Sequence, residues 1–442
     1  MNCKLQMADG KLKMANGKWQ IENGKWQMAN CKLKIRKKCV DRPSAPAVSH
    51  DSTKTEQKME QTQDIFELRK KIDELDGQIT ALLKERMMTS AEIASFKKAH
   101  GIPVFDAARE RSKMNVIAED TDAELREYMT LLYSMIFEIS RSYQTRIIGE
   151  GSGLARKISC AVENTPKLFP DHASVACQGI EGANSQFACD KLFKHANIMY
   201  FSDFGSVFKA VDNGLCRYGV VPVENSTAGS VNSVYDLMTR HSFFIVRSIR
   251  VKVDHALLVK PGTKLSDVKE IYSHEQAVSQ CSGFLAGLKG VKVIPCENTA
   301  VAARLVSDSE EGGKAALASK QCASLYRLEC LSERVQNTDN NYTRFICISK
   351  DLEIYPGADR TSLMLTLPHE QGSLYKLLSK FYALGINLNK LESRPLPGRD
   401  FEFMFYFDIE TPVYSPSLMQ LLDELPQYCE SFAYLGSYGE VF

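Results

Sequence analysis

The stretch Gly219–Tyr235, GVVPVENSTAGSVNSVY, constrains the fold of this chain most, because it joins a strand, a polar loop and a helix. The run Val220–Val223 is apolar and rich in β-branched residues, which is typical of a buried strand. Pro222 cannot donate to a strand ladder, so we place it at the end of the strand. A helix is expected over Val231–Met238, which indicates an α/β arrangement.

Small polar residues fill the loop between these two elements, at Glu224–Ser230. A strand that leads through such residues to a helix N-terminus can bind an anion, because free N–H groups, the helix dipole and the hydroxyls point to one spot. An ordinary helix cap uses the same residue types, so the loop alone leaves both interpretations open. Similar loops further along the chain favour the anion site.

Length and composition indicate a globular protein of several domains. With 442 residues, 25% of them charged and 44% hydrophobic, the chain has room for about three domains. Residues 1–58 hold 13 basic and 5 acidic side chains, whereas the remainder holds 42 and 49. The body of the chain is therefore mildly acidic, which argues against binding to nucleic acid.

The 13 cysteines are scattered without a C-x-x-C pair, and no secretory signal is evident. We therefore expect reduced thiols and no metal site. No apolar run approaches the ~18 residues that a membrane helix needs. The expectation is a soluble, cytoplasmic protein that does not bind membranes.

The sequence pattern of residues 1–58 indicates a tail without a packed fold. Residues 3–37 are five copies of a seven-residue unit: CKLQMAD, GKLKMAN, GKWQIEN, GKWQMAN and CKLKIRK. A heptad can form a coiled coil, but here the apolar third and fifth positions have the spacing of a strand. We predict a disordered low-complexity tail. A transit peptide is the alternative, because acidic residues are few, and Met59 is a plausible translation start.

An apolar seam with alternating spacings of three and four predicts a long amphipathic helix that ends near Ala99, before a glycine and a proline. Arg86 continues this seam, and an arginine on a buried seam must be paired or hold an anion. Lys97, eleven residues later, lies on nearly the same face. The apolar members of the seam are Ile65, Leu68, Ile72, Leu75, Ile79 and Leu82.

Arg69 lies seventeen residues before Arg86, which is ~25 Å along a helix and on a different face. It can reach the same small ligand only from a second copy of the helix. The spacing therefore predicts a dimer with shared sites.

Two further helices are expected over 106–119 and 122–147. The first carries Asp106, Arg109 and Glu110 one turn apart, and the second carries Ser140 and Gln144 on one face. Each charged residue by itself is typical of a solvated surface. As a set they do not have the pattern of a surface.

The stretches ELRKKIDELDGQITALLKER, FDAARER and EISRSYQ resemble the all-helical chorismate mutase family over residues 59–148. In that family a dianion rearranges in one pericyclic step, so positioning and charge stabilisation suffice, without a nucleophile or base. The resemblance implies that Arg86, Arg109 and Arg69 of a second copy clamp the carboxylates. It implies that Lys97 and Gln144 donate to the breaking ether oxygen, and that Glu110 and the Asp106 backbone hold the ring hydroxyl. The implied site residues are Arg69, Arg86, Lys97, Asp106, Arg109, Glu110, Ser140 and Gln144.

Residues 149–172 contain several glycines and prolines with little periodicity, and we predict a linker there. The loop Gln178–Ser185 follows a strand and has part of the glycine spacing of a nucleotide fingerprint. It lacks the third glycine, and no P-loop lysine follows. We expect no cofactor.

Strands and helices alternate over 173–350, which predicts an α/β domain with a mixed or parallel sheet and two lobes about a cleft. Five polar loops lie beside strand ends, where open α/β sheets bind ligands. They carry the motifs GxxGxxS, PVENSTAG, YSH, ENT and TRF in an order that resembles the prephenate dehydratase family. These loops are Gly179–Ser185, Glu224–Ser230, Tyr272–His274, Glu297–Ala300 and Asn341–Phe345.

The resemblance implies that prephenate loses carbon dioxide and hydroxide here to become phenylpyruvate. Thr343 is the implied donor to the leaving hydroxyl, by hydrogen bond or relay, and Arg344 organises the site. His255 and His274 are either acids or, as we favour, structural histidines. Ser226-Thr227-Ala228 stands where many relatives have Thr-Ser-Ser, a departure that we expect to be tolerated. Glu224 is expected to orient its loop, and the implied carboxylate ligands are Ser185, Asn225, Ser226, Thr227 and Thr299.

Residues 351–442 contain strands and helices in the order βαββα and a last strand near Ala433–Leu435, which predicts a ferredoxin-like βαββαβ domain. This domain resembles the ACT amino-acid-sensing domain, and its motifs QGSL and ESRP correspond to phenylalanine-binding motifs. A purely structural or dimerising domain is the alternative. The implied phenylalanine site, with Ser373 in place of the usual alanine, comprises Gly372, Ser373, Leu374, Glu392, Ser393, Arg394 and Pro395.

The whole of 59–442 is similar to the bifunctional chorismate mutase–prephenate dehydratases of phenylalanine biosynthesis. The expected ligands are chorismate, prephenate and, as feedback effector, L-phenylalanine, in a homo-oligomer of at least two copies. The rival class is a non-catalytic amino-acid sensor on a degenerate dehydratase module. Intact Thr343, Arg86 and Lys97 favour the enzyme.

Overall fold

The computed structural model describes four short strands before residue 28, and residues 52–148, 153–396 and 402–441. Side chains are described from Ile65 onward, apart from Gln427. In this part of the chain no helix is long and apolar enough to cross a membrane.

Two short antiparallel pairs of strands lie within the seven-residue repeats. β1 (Leu5–Ala8) pairs antiparallel with β2 (Lys11–Met14), and β3 (Gln20–Glu22) pairs with β4 (Lys25–Gln27). The prediction of a disordered tail is therefore wrong for these residues, and the strand spacing of their apolar positions accounts for the difference. The rest of the predicted tail up to residue 51 lies outside the described residues.

Three helices follow, α1 (Ser52–His100), α2 (Ala107–Asp120) and α3 (Arg126–Ile148), and they confirm the prediction of an all-helical domain. α1 ends just before Gly101, whose φ of 64° favours a residue without a side chain. α2 begins after Asp106, whose carboxylate accepts a hydrogen bond from the Arg109 N–H at 3.0 Å.

A fourth helix, α4 (Gly153–Asn164), occupies the segment that was predicted to be a linker. Ile158 is buried, and Leu154, Ala161 and Val162 pack beside it in the core of the C-terminal domain. The prediction of an irregular linker is therefore wrong here, because these four residues form one apolar face of a helix. Residues 149–152 lie outside the described residues.

The middle and C-terminal regions alternate strands and helices. In chain order, the middle region contains β5 (His172–Gln178), α5 (Asn184–Leu192), β6 (His195–Phe201), α6 (Phe204–Asp212), β7 (Tyr218–Asn225), β8 (Gly229–Ser230), α7 (Asn232–Met238), β9 (Phe244–Lys252), β10 (Ala256–Val259), β11 (Glu270–Ser273), α8 (Glu275–Gln280), α9 (Ser282–Ala286), β12 (Lys292–Pro295), α10 (Thr299–Asp308), β13 (Lys314–Ala318), α11 (Gln321–Leu325), β14 (Glu329–Ser332) and β15 (Tyr342–Ser349). The C-terminal region contains β16 (Arg360–Thr366), α12 (Ser373–Ala383), β17 (Asn387–Pro395), β18 (Phe403–Glu410), α13 (Pro416–Glu424), β19 (Ser431–Tyr438) and β20 (Glu440–Val441).

The strands of the middle region form two sheets, one for each predicted lobe. The sheet of the first lobe has the order β20–β9–β15–β7–β5–β6, with β8 paired to β7, and the sheet of the second lobe has the order β12–β11–β13–β10–β14. Both sheets mix parallel and antiparallel neighbours, as expected. Sequence reasoning missed β20, in which the end of the chain pairs in parallel with β9 of the first lobe.

Strand β7 continues to Asn225 and Pro222 lies inside it, so the placement of Pro222 at the strand end is wrong. The pairing with β15 shifts between Arg344 and Phe345, opposite Pro222. This bulge accommodates a residue that has no N–H to donate. The loop after β7 then folds back as β8 before α7 begins at Asn232, so it does not lead straight into a helix.

The C-terminal sheet, with antiparallel neighbours in the order β17–β18–β16–β19, has the predicted ferredoxin-like topology. One face packs against α4, α12 and α13 through residues such as Leu363 and Phe407. Met364 and Tyr406, their neighbours along the strands, point the other way into the core of the first lobe. The C-terminal domain and the first lobe therefore share a continuous core.

Candidate active sites

A cavity of about 560 Å³ lies between the two lobes, and residues from both lobes line it. Four of the predicted residues face this cavity: Ser185, Asn225, Thr299 and Thr343. Ser185 and Thr299 belong to the first turns of α5 and α10. Two helix N-termini therefore meet at one cavity, which suits a ligand with two negative groups.

Thr343 lies on β15 directly opposite Asn225 of β7. The Asn225 amide donates a hydrogen bond to the Thr343 hydroxyl oxygen at 3.0 Å. Because that oxygen already accepts a bond, the O–H proton of Thr343 can point into the cavity. The arrangement presents Thr343 to a ligand as a hydrogen-bond donor.

Asn225 also holds the loop that follows it. Its side-chain oxygen accepts hydrogen bonds from the Thr227 N–H at 3.1 Å, the Thr227 hydroxyl at 2.7 Å and the Ala228 N–H at 2.9 Å. Its amide nitrogen donates to the Asn341 side chain at 2.8 Å. Thr227, which was predicted to bind substrate, thus serves this turn and is not among the residues that line the cavity.

Gln280 completes the polar network, although no sequence motif marks it. From the end of α8, its amide donates to the Thr227 hydroxyl at 2.7 Å. Its oxygen accepts from the Asn341 amide at 3.0 Å and from His255 Nε2 at 2.9 Å. Side chains from three separate segments therefore bond to one glutamine, and only the folded structure brings them together.

Both histidines that were considered as acids have structural partners. His255 is buried, and burial lowers its pKa, so it is neutral near pH 7. Its Nε2–H faces Gln280, which leaves Nδ1 unprotonated and without a protein partner among the described residues. His274 caps α8, since its Nδ1 accepts from the Gln276 N–H at 3.2 Å. These contacts favour the structural interpretation for both.

Glu224, Ser226 and Arg344 line a different cavity, of about 850 Å³, which also includes residues of the C-terminal domain. Neighbouring residues on a strand point to opposite faces, so Arg344 faces away from the cavity that Thr343 lines. Glu224 pairs with Lys390 of β17 at 3.0 Å. The structure therefore does not place these three residues against a substrate between the lobes, and an organising role for Arg344 stays a prediction.

Arg344 is buried against the C-terminal domain, where its guanidinium pairs with the Asp408 carboxylate. Asp408 also accepts hydrogen bonds from the hydroxyls of Ser362 and Tyr406, the latter at 2.7 Å. Burial by itself lowers the pKa of Arg344, but the Asp408 charge outweighs this effect and raises that pKa above its ordinary value. Arg344 is therefore a permanent cation that ties β15 to the C-terminal sheet.

Strand β17, which carries the ESRP motif, presents its residues alternately to two faces. Arg394 forms two hydrogen bonds with the Asp236 carboxylate of α7, at 2.9 and 3.0 Å, and Glu392 accepts a bond from the Ser230 hydroxyl. Ser393, between them, is exposed. Two of the predicted phenylalanine ligands, Glu392 and Arg394, are thus turned toward the first lobe, and Ser393 lies on the outer face.

In the helical domain, Arg86 of α1 and Ser140 of α3 are in contact, since the guanidinium donates a hydrogen bond to the hydroxyl. Burial lowers the pKa of Arg86, and the nearby Glu110 opposes this effect. Gln144, one turn after Ser140, is buried, and its side-chain oxygen has no hydrogen-bond partner among the described residues. These side chains gather on the faces that their spacing predicted.

The other predicted residues of the helical domain lie elsewhere on α1 or at the start of α2. Lys97 donates to the Val104 carbonyl at 2.6 Å, and Glu110 pairs with Arg141 of α3. The remaining predicted residues are all exposed: Arg69, Asp106 and Arg109.

Residues 68–145 match the chorismate mutase type II family, and residues 175–353 match the prephenate dehydratase family. The fold and its sites thus define a chain with two enzyme domains. A bifunctional chorismate mutase/prephenate dehydratase of Enterobacter agglomerans is 31% identical over 85% of this chain and 95% of its own length. The chain therefore belongs to the bifunctional chorismate mutase/prephenate dehydratase family, with both activities.

Two solved structures share the fold of about three fifths of the chain. The prephenate dehydratase of Arthrobacter aurescens, in complex with L-Phe, covers 60% of this chain and 90% of its own, with 26% identity and a TM-score of 0.57. GqqA, described as a quorum-quenching acylase, covers 61% of this chain and 98% of its own, with 31% identity and a TM-score of 0.56. One fold can carry different chemistries, so activity has to be argued from site residues.

The Gln280→Ala variant tests the polar network around Thr343. Loss of the Gln280 amide leaves Thr227, Asn341 and His255 each without one bond, and for the buried Asn341 and His255 an unpaired group costs about 1–3 kcal/mol. We expect dehydratase kcat/KM to fall roughly tenfold or more, with mutase turnover unchanged. Gln321→Ala, at an exposed glutamine of α11, is the matched control. Equal dehydratase activity in both variants would contradict the role of the network.

Proposed function

We propose that the helical site converts chorismate to prephenate, that the cavity between the lobes converts prephenate to phenylpyruvate, and that the C-terminal domain binds phenylalanine as a feedback effector. The observation that carries the dehydratase site is the Asn225–Thr343 pair in a cavity that two helix N-termini face. The ten cysteines among the described residues are free, which suits a reducing compartment, and we place the enzyme in the cytoplasm.

The mutase step needs positioning and charge, because chorismate rearranges in one pericyclic step without a nucleophile. Arg86, oriented by Ser140, and Arg109 clamp the carboxylates of the dianion. Lys97 and Gln144 donate to the ether oxygen, where negative charge develops as the bond breaks. The Gln144 side chain suits this role, because its oxygen has no partner among the described residues that fixes the amide.

The remaining polar contact in the mutase site is with the ring hydroxyl of chorismate. Glu110 and the backbone of Asp106, both at the start of α2, hold this group. A hydrogen bond to a carboxylate is stronger than one between neutral groups, so Glu110 fixes the ring more firmly than an amide would.

A second copy of the chain supplies Arg69. The seam of α1 is between 47% and 61% exposed at Ile65, Leu68, Ile72, Leu75 and Ile79. A row of half-exposed apolar side chains at helical spacing is the kind of surface that a second copy of the same helix covers. The partner's helix then brings its own Arg69 to the carboxylate clamp, and the working unit is at least a dimer.

Co-expression of two inactive variants tests the shared mutase site. Arg69→Ala and Arg86→Ala each remove one clamp from every site of their own dimers, and each should lose about 10²-fold or more in kcat/KM. In a mixed dimer, one of the two sites keeps both arginines. We therefore expect co-expression of the two variants to restore about a quarter of wild-type mutase activity. Tagged mixed dimers that stay as inactive as the parents would contradict the shared site.

The dehydratase step removes carbon dioxide and hydroxide from prephenate and leaves an aromatic ring. The departing hydroxide needs a hydrogen bond or a proton, and the Thr343 O–H is available because Asn225 donates to its oxygen. Threonine is a weak acid, so it hydrogen-bonds or relays a proton while aromatisation supplies the driving force. Ser185 and Thr299, each in the first turn of a helix, hold the two carboxylates.

Thr343→Ala tests the proposed donor. Loss of the hydroxyl should lower dehydratase turnover by about 10²–10³-fold, the cost of one preorganised donor. Prephenate should then accumulate from chorismate at the wild-type mutase rate, as followed by chromatography. Thr343→Ser, which keeps the hydroxyl, is the control and should retain most of the activity. Dehydratase turnover that is the same in the alanine and serine variants would remove Thr343 from this role.

We place phenylalanine between α12 and the outer face of β17. Gly372, with a φ of 82°, precedes α12, so the N–H group of Leu374 in the first turn can meet a carboxylate. Ser393 lies on the outer face of β17, an edge strand beside which a second copy can dock. The L-Phe complex of the Arthrobacter enzyme supports phenylalanine as the effector.

The inner face of β17 links this site to the dehydratase. Lys390 pairs with Glu224 at 3.0 Å and donates to Ser230 at 2.8 Å, and Arg394 holds Asp236. A shift of β17 on effector binding therefore moves both ends of the loop that Asn225 holds. The effector must bind the low-activity state better, and a typical coupling of ~1–3 kcal/mol corresponds to ~5–150-fold in affinity.

Ser393→Ala and Arg394→Met should separate effector binding from its transmission. We expect Ser393→Ala to weaken phenylalanine binding in calorimetric titration, because it alters the outer face of β17. We expect Arg394→Met to retain binding but to reduce inhibition of the dehydratase, because it removes the contact with Asp236. Undiminished binding and inhibition in both variants would place the effector site elsewhere.

A further inference from the structure

The mutase helices contact the C-terminal domain through hydroxyl and charged side chains of α3. The Ser142 hydroxyl donates to the Glu424 carboxylate of α13 at 2.8 Å, and the Gln420 amide donates to Ser142 at 3.0 Å. Ser142 lies between Ser140 and Gln144, two residues of the mutase site. The C-terminal domain therefore touches the same stretch of helix that carries the mutase site.

Arg141, in the same stretch, connects three parts of the helical domain. Its guanidinium pairs with Glu110 of α2 and with Glu138 of α3, and it lies 5.2 Å from the centre of the Phe105 ring. The Arg141 side chain is only 12% exposed. A cation with two carboxylate partners and an aromatic neighbour has little freedom to move, so Arg141 fixes the position of Glu110.

The C-terminal domain continues this network. The Tyr428 hydroxyl donates to the second oxygen of Glu138 at 2.7 Å. The Lys380 ammonium lies 3.9 Å from the same oxygen, pairs with Glu424 at 2.6 Å and stands 5.1 Å from the centre of the Tyr428 ring. Glu138 is therefore held from one side by Arg141 and from the other by the C-terminal domain. In such a network each member keeps its geometry only while its partners are in place.

We propose that Arg141 and Tyr428 are positioning residues for the mutase reaction, acting through the chain of contacts Glu110–Arg141–Glu138–Tyr428. The inference rests on the proposed role of Glu110 in the mutase site. The Glu110 charge also opposes the lowering of the Arg86 pKa by burial, so the two groups attract each other. While Arg141 holds Glu110, the Arg86 guanidinium stays free to pair with a substrate carboxylate. Without that hold, Glu110 pairs with Arg86 and competes with the substrate carboxylate for the guanidinium.

Tyr428→Phe in the full chain tests this proposal, because it removes one hydroxyl and keeps the ring beside Lys380. We expect mutase kcat/KM to fall about 2- to 30-fold, the range for residues that modulate a site through others. Dehydratase kcat/KM with prephenate should not change. Tyr434→Phe is the matched control, because its hydroxyl donates to Ser437 within the C-terminal domain. Equal mutase activity in these two variants would overturn the proposal.

A double-mutant cycle distinguishes positioning from a general loss of stability. Arg141→Met should lower mutase kcat/KM, Arg141→Lys should restore part of it because one charged donor remains, and Arg141→Met with Tyr428→Phe should be no worse than Arg141→Met alone. Additive losses, or thermal midpoints that fall in step with activity, would overturn the proposal.

Glu110→Gln separates this proposal from the assignment of the mutase site. If Glu110→Gln keeps full mutase activity, the proposed role of Glu110 fails, and the positioning proposal fails with it. If Glu110→Gln loses activity while Arg141→Met and Tyr428→Phe do not, only the positioning proposal fails.

Discussion

The arrangement of the dehydratase site depends on the buried ion pair between Arg344 and Asp408. Both side chains are almost fully removed from water, so loss of either partner leaves an uncompensated charge, at a cost of about 3–5 kcal/mol. Arg344 directly follows Thr343 on β15, so the strand that carries the proposed donor is held against the C-terminal sheet while the pair is intact. The hydroxyls of Ser362, Tyr406 and Tyr438 fix the Asp408 carboxylate in turn.

The contact between Arg394 of β17 and Asp236 of the same lobe differs from this pair in exposure. The side chains of Arg394 and Asp236 are 24% and 44% exposed, and pairs in contact with water contribute little to stability. They can therefore break and form again at a small cost, whereas the pair of Arg344 with Asp408 cannot. The pair of Arg344 with Asp408 is thus a fixed contact and the pair of Arg394 with Asp236 an adjustable one, and an adjustable contact suits a coupling of only ~1–3 kcal/mol.

Features that depend on local sequence, such as helices and loop motifs, could be predicted from the sequence. Contacts between side chains that are far apart in the chain could not. Helical spacing identified α1 to α3, and the loop motifs identified Asn225 and Thr343, which the structure places opposite each other. Arg344 was assigned to the same ligand as Thr343, but the pleat turns the two to opposite faces. Gln280 bonds to side chains 53 and 61 residues away, so no local pattern marks it. The apolar face of α4 is present in the sequence, but the nearby glycines and prolines led to the prediction of a linker.

The C-terminal domain reaches the two enzyme domains by different routes. Strand β17 touches the dehydratase loop directly, whereas the mutase is reached through α12, which begins at the proposed effector site and carries Lys380. A rotation of α12 moves Lys380 relative to Glu424 and Glu138, both of which are largely buried. The cost of disturbing buried partners limits how far α12 can move, whereas the more exposed pair of Arg394 with Asp236 resists a movement of β17 less. One effector can therefore act on the two activities to different extents, because the two routes share a ligand but not their contacts.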